Sequence, residues 1–162
     1  MAQNSVLVKN YSNVFEEIAA AGAITPGMLV ELTSAGAVVA HNSAGDNALP
    51  MFAKEDEYQG KGVNDAYASG DKCHVWIPGR GDQVYAILAD GQNVAIGDFL
   101  ESNGEGFLQK HASDTADSDD AVTVYPNQIV GVATEAVDLS DSSGAESSGP
   151  LAYEKRIIVR IV

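Results

Sequence analysis

The chain has 162 residues, 45% hydrophobic and 20% charged, with 23 Asp and Glu against 9 Lys and Arg for a formal net charge of -14. That length predicts one domain, the apolar share excludes a disordered chain, and the acidity argues against nucleic acid and anionic membranes as partners, because both are polyanions. The single cysteine, Cys73, excludes an intrachain disulfide.

The opening MAQNSVLVKNYSN has no basic region followed by a long apolar run, so it does not read as a signal peptide. No apolar stretch has the length needed to span a bilayer. Synthesis and folding in the cytoplasm are expected. Residues 1–22 read as an N-terminal arm. It carries a short apolar run, Val6, Leu7 and Val8, and then Tyr11. NVFEEIAAAG follows, with Asn13 as a cap, Glu16 three residues on and Gly22 as a stop, which predicts a short helix. Val6, Val8, Tyr11 and Phe15 are the candidate contacts with a neighbouring chain, because apolar and aromatic side chains ahead of a domain often anchor interfaces. The alternative is that they pin the arm to its own domain.

From residue 23 to the end the pattern predicts a single β domain. Met28, Val30 and Leu32 alternate with Leu29, Glu31 and Thr33, a period of two that places them on opposite faces of a strand. SAG turns the chain and AVVAH returns. A strand near Met51–Ala53 leads into a long loop over 54–70, and a loop of that length usually makes a contact. KCHVWIP and QVYAILA read as strands on either side of GRGD. Asp90-Gly91 and Asn103-Gly104 are hairpin signals, since such pairs accept positive φ. Further loops are expected near 111–121 and 138–150. VTVYPNQIVGVATEAVD reads as strands broken at Pro126, and the closing KRIIVRIV sets Ile157, Val159 and Ile161 against Arg156, Ile158 and Arg160.

Little in the sequence carries chemistry. His41, His74, His111 and Cys73 follow no zinc-ligand spacing, and the adjacent Cys73 and His74 must point to opposite faces of a strand. The two outer histidines are expected at strand ends and His74 on a sheet face. The run Asp114, Asp117, Asp119 and Asp120 lacks the glycine and glutamate of a calcium loop, and reads as a solvated loop. GRGD at 79–82 reads as a turn before it reads as an adhesion tripeptide, because proline and two glycines are what a turn requires. GKG at 60–62 lacks phosphate-loop spacing, and no nucleophile elbow or HExxH occurs. No catalytic residue, metal or cofactor is expected.

Residues 27–43 and 97–113 form a repeat at an offset of seventy. Gly27, Glu31, Gly36, His41 and Ser43 are matched by Gly97, Glu101, Gly106, His111 and Ser113. A leading glycine, an apolar run with a glutamate and a turn glycine make the same hairpin twice. Two such hairpins are expected to close a small barrel without exposed edges.

The segment YASGDKCHVWIPGRGDQVYAILADGQNVAIGDFLESNGEGFLQK resembles the central part of capsid decoration (cement) proteins of tailed bacteriophages. Those run from a Gly-Asp strand through a hairpin to G-D-x-L and a Gly-containing turn. IVGVATEAVD and RIIVRIV are similar to the closing segments of that family. The resemblance covers about two-thirds of the chain. It implies an all-β fold with a small β-barrel or β-tulip core and an N-terminal arm, assembled as a homotrimer. It also implies a structural virion protein without catalytic residues. The expected partner is the major capsid protein, on the exterior of the expanded capsid, and removal of residues 1–12 is expected to spare folding and abolish docking. The loop at 54–70 and the stretch at 140–149 have no counterpart in that family. The rival readings are a carbohydrate- or cation-binding β module, a hydrolase on a β scaffold, and a minor tail or fibre protein.

Overall fold

The computed structural model describes residues 4–11, 14–113, 125–141 and 155–162. These residues form an all-β molecule. In chain order the strands are β1 (Leu7–Lys9), β2 (Phe15–Ala19), β3 (Val30–Leu32), β4 (Val38–Ala40), β5 (Phe52–Lys54), β6 (Lys72–Trp76), β7 (Gln83–Ile87), β8 (Asn93–Val94), β9 (Phe99–Ser102), β10 (Leu108–Lys110), β11 (Gly131–Ala133), β12 (Val137–Asp138) and β13 (Arg156–Ile161). A 3-10 turn covers Glu57–Gln59.

A six-stranded sheet runs β1-β7-β13-β11-β9-β10, a three-stranded sheet runs β2-β6-β5, and β3-β4 and β8-β12 form two-stranded ladders. Every ladder is antiparallel. The last strand lies in the middle of the largest sheet. Its Ile157, Val159 and Ile161 face the first core, with Val84, Ala86, Leu88, Leu100, Leu108, Phe52 and Trp76. A second core holds Ile24, Val30, Val38, Met51, Ala53, Tyr67, Cys73 and Val75. The alternation of β6 feeds both, with Trp76 entering the first core and Cys73 and Val75 the second.

Among the described residues the expected closed barrel is not formed. Leu88, just past β7, bridges Leu108 of β10, and the Ala89 amide donates to the Leu108 carbonyl at 2.8 Å. The far strand of the large sheet thus touches the chain leaving β7 at one point. A continuous ladder does not follow, because β10 has only three residues and the chain beyond Ala89 turns away at Asp90-Gly91.

One local device starts several strands. In 68–71, 79–82 and 95–98 an aspartate follows a glycine with φ between 92° and 94°. In each, the aspartate amide donates to the carbonyl three residues back at 3.1 Å, and the carboxylate accepts that residue's amide at 2.7–2.9 Å. Only glycine takes the positive φ of this turn cheaply. The strands β6, β7 and β9 begin directly after these turns. Lys110 and the Ala95 amide hold the Asp98 carboxyl below the ordinary carboxylate range.

Two sequence expectations fail here. Residues 14–22 of NVFEEIAAAG are not helical, and the expected cap Asn13 lies outside the described residues; β2 instead pairs with β6 over five residues, from Phe15 opposite Trp76 to Ala19 opposite Lys72. An isolated helix of that length is marginal in water, and the ladder supplies backbone partners the helix would lack at its ends. Nor does Asp90-Gly91 close a hairpin, while GRGD is a turn between two strands as expected. Both are turns at which the chain changes sheets, since β6 belongs with β2 and β5, β7 with β1 and β13, and β8 with β12. The repeated segments do fold as hairpins, β3-β4 and β9-β10.

The two hairpins pack on each other. The Leu29 amide donates to the Gly106 carbonyl at 2.8 Å, the Gly106 amide to the His41 carbonyl at 3.0 Å, and Ala44 bridges Asn103. A Cβ on Gly106 would lie 2.9 Å from Ala40 Cβ, whereas one on Gly36 would meet nothing within 4 Å, although both have positive φ. Gly36→Ala is therefore expected to cost about 1–2 kcal/mol for the backbone alone. Gly106→Ala is expected to cost a further ~1–3 kcal/mol for overpacking. Urea unfolding of both variants measures the difference, and equal costs would mean the hairpins separate freely.

Candidate interaction surface

The rows of the three-stranded sheet build a groove. On one face Phe15, Trp76 and Phe52 lie side by side, and next to them Glu17, His74 and Lys54. Trp76 and Phe52 are roofed by the first core, but Phe15, at the sheet edge, stays 44% exposed and stacks on Trp76 with ring centroids 6.4 Å apart. The second row is open. The 3-10 turn places Tyr58 edge-on to His74 at 6.0 Å, with 92% of Tyr58 exposed. Leu7 and Asn10 close the other side of a groove of about 400 Å³. Glu17 and Glu57 make its rim acidic, with Lys54 paired to Glu57 and His74 3.8 Å from Glu17.

The four candidate contacts separate. Val6 is fully buried in the chain's own first core, so it is not available to another chain. Its amide donates to the buried Glu55 carboxylate at 3.1 Å, and its carbonyl accepts from Tyr85 N at 2.8 Å. Val8 is half-buried on β1, which pairs with β7. Tyr11 is 70% exposed, its ring against Gly81 and under the Lys9 ammonium. Phe15 alone lines the groove. The arm is therefore sewn into the domain, and removal of residues 1–12 takes a core side chain with it.

Tyr58, His74 and Glu17 complete the groove and were not singled out as contacts in the sequence. Tyr58 had a signal, an aromatic in the charged, glycine-flanked EDEYQGKG. The 54–70 loop is itself held by Val63 and Tyr67, both buried, and by the Tyr67 hydroxyl donating to Lys54 O at 2.6 Å. It thus presents Tyr58 on a fixed base.

The other candidate residues have structural partners. Asp82 of GRGD is fully buried, accepting from Gly79 N at 2.7 Å and from Tyr11 N, so its carboxylate is out of reach of an adhesion receptor. Each repeat hairpin carries a diagonal Glu–His contact. His111 Nδ1 lies 2.5 Å from Glu101 Oε2, and His41 Nε2 lies 3.8 Å from Glu31 Oε2. Both follow from the ladder, which sets Glu101 opposite Gln109 and Glu31 opposite Val39, two residues before each histidine. His41 Nδ1 also meets Ser102 Oγ at 2.8 Å, joining the copies. Ser102 is fully buried and already accepts from Gly104 N at 3.1 Å, so it presents no hydroxyl to a substrate. Asp114, Asp117, Asp119 and Asp120 lie outside the described residues. Among the described residues no three His, Cys, Asp or Glu converge as metal ligands, and no helix is long and apolar enough to cross a membrane.

Cys73 faces the second core, and burial pushes its thiol up to about 12. At pH 8 the native protein is expected to resist a thiol reagent and to react only through unfolding. Prompt reaction would show the second core to be open. The folded state keeps a proton that the unfolded thiol releases from its ordinary 9.0 upward, so this contribution to stability is full below pH 9 and fades toward pH 12.

In comparison with known proteins, the chain matches no family model and no curated sequence.

Proposed function

We propose that the protein is a structural virion component that docks on the outside of an expanded tailed-phage capsid and ties neighbouring capsomers together. The observation that carries the reading is the aromatic groove of Phe15 and Tyr58, set on a rigid all-β frame beside the N-terminal strand. The decoration-protein resemblance agrees with it, since the segment that carries the resemblance spans β6 to β10. A homotrimer would present three copies of this surface, so modest single contacts sum to tight attachment. Binding only the expanded shell would stabilise that shell by linkage. The net charge of -14 suits a face turned away from packaged DNA.

The test is co-sedimentation with purified expanded capsids and with unexpanded ones. Saturable binding to expanded capsids is expected. A Phe15→Ala, Tyr58→Ala double variant should weaken it by about 30-fold or more, the loss of a central aromatic anchor. Absence of binding to either shell removes the proposal. One observation favours a second reading: an exposed tyrosine beside carboxylates in a 400 Å³ groove also suits a sugar ring. Calorimetry against a glycan panel separates the two.

A further inference from the structure

The two edges of the three-stranded sheet are treated differently. On the β5 side the chain covers its own edge, with Gly27 N donating to Ala53 O at 2.8 Å and Ala53 N to Met28 O at 3.0 Å. On the β2 side nothing among the described residues pairs with Phe15 or Glu17. The ladder fixes which groups these are. Val14 O accepts from Ile77 N, and Ala20 N donates to Asp71 O, so 14, 16, 18 and 20 are bonded to β6. The alternate residues then aim their amides and carbonyls outward. Past Ala19 the edge closes again, where Ala20 bridges Val38. The free edge is thus a short window over Phe15, Glu16, Glu17 and Ile18.

An open edge is a template for another strand, and its side chains decide which strand is admitted. Here the order is apolar, acidic, acidic, apolar. Phe15 and Glu17 stand on the groove face and Glu16 on the reverse. A second copy pairing β2 with β2 in antiparallel register must set outward-facing residues opposite one another, which puts Glu16 against Glu16 or Glu17 against Glu17, a like-charge arrangement that destabilises the pair. The same carboxylates attract a basic strand, so one device excludes self-association and selects a partner.

We infer that the free edge of β2 accepts an extended segment of another polypeptide with the pattern apolar-basic-basic-apolar, adding it as a fourth strand beside Phe15–Ile18. Its basic residues lie opposite Glu16 and Glu17. Its apolar residues extend the Phe15–Trp76 stack and pack beside Ile18. Because the pattern reads alike in both directions, the incoming strand pairs in either orientation. The inference deepens the docking proposal by naming the chemistry of the contact. It rests on that proposal only for the partner being a capsid protein.

The probe is a blocked peptide carrying valine-lysine-lysine-valine between threonines, titrated into the full chain and followed by amide chemical shifts. Saturable binding is expected, with shifts centred on Phe15–Ile18 and Tyr58. Glutamates in place of the lysines should weaken it roughly tenfold, as two exposed ion pairs become repulsive. Proline in place of the first lysine, whose amide faces β2 in either orientation, should abolish it by removing an edge hydrogen bond. In the Glu16→Lys, Glu17→Lys variant the preference should reverse toward the glutamate peptide. Absence of binding, equal binding of the proline peptide, or dimerisation of the protein through β2 would overturn the inference. Capsid co-sedimentation reads the docking proposal separately. Peptide binding without capsid binding retains strand addition and removes the capsid, and the converse removes strand addition alone.

Discussion

Replacing Arg156 with alanine is expected to destabilise the protein by about 2–6 kcal/mol, because two buried carbonyls lose their donor at ~1–3 kcal/mol each. The side chain is buried at the start of β13, with Nη1 donating to Pro26 O at 2.8 Å and Nη2 to Val63 O at 2.7 Å. Its guanidinium lies over the Tyr85 ring at 5.7 Å. One planar group therefore ties the strand to two distant loops, including the one that presents Tyr58. Gly27 leaves room for it, since a Cβ there would fall 2.1 Å from Nη1. Arg156→Lys is expected to recover only part of the loss, because a single ammonium does not reproduce the planar fork that spans both carbonyls. Thermal unfolding should show a fall of roughly 2–4 °C per kcal/mol for a chain of this size. A midpoint within 2 °C of the parent, below the shift for even the smallest loss, would mean the loops are held by other contacts.

Deleting residues 1–8 is expected to be as damaging. It removes Leu7 and Val8 of β1 and the fully buried Val6, a side chain whose burial is worth about 1.5–3 kcal/mol. It also strands the Glu55 carboxylate and the Tyr85 amide, each of which bonds the Val6 backbone. At ~1–3 kcal/mol for each stranded group the loss takes much of the 5–15 kcal/mol that holds an ordinary domain together. Circular dichroism and denaturant titration of the truncated chain check this. A folded truncation of unchanged midpoint would return the segment to the status of a free arm. Loss of capsid binding on truncation would therefore not identify a contact, which is why substitutions at Phe15 and Tyr58 are the cleaner probes of docking.

The alternation of Ile157, Val159 and Ile161 is visible in the sequence, and so is their burial on one face, because a strand's period of two is a property of its own backbone. The turns before β6, β7 and β9 are legible for a similar reason. Gly-Asp sets a positive φ and a local carboxylate bond that need no distant partner. The repeat was legible as two hairpins, and the shared glutamate and histidine of each copy meet across the ladder that their spacing implies.

Partner choice was not legible. Nothing near Arg156 says that the last strand enters between β7 and β11, and nothing near Phe15 says that β2 joins β6. Both depend on which pairing buries the most apolar surface once long loops have closed, a comparison across the whole chain. That comparison turned Phe15–Ala19 from helix to strand, put Val6 in the core and left the Leu88–Leu108 approach at a single bridge. It also buried Asp82 within GRGD. The groove belongs to the same class, because Phe15, Tyr58 and His74 come from separate stretches that only folding brings together. Local alternation and turn chemistry set the strands, and the competition for burial among them decided which edge stayed open.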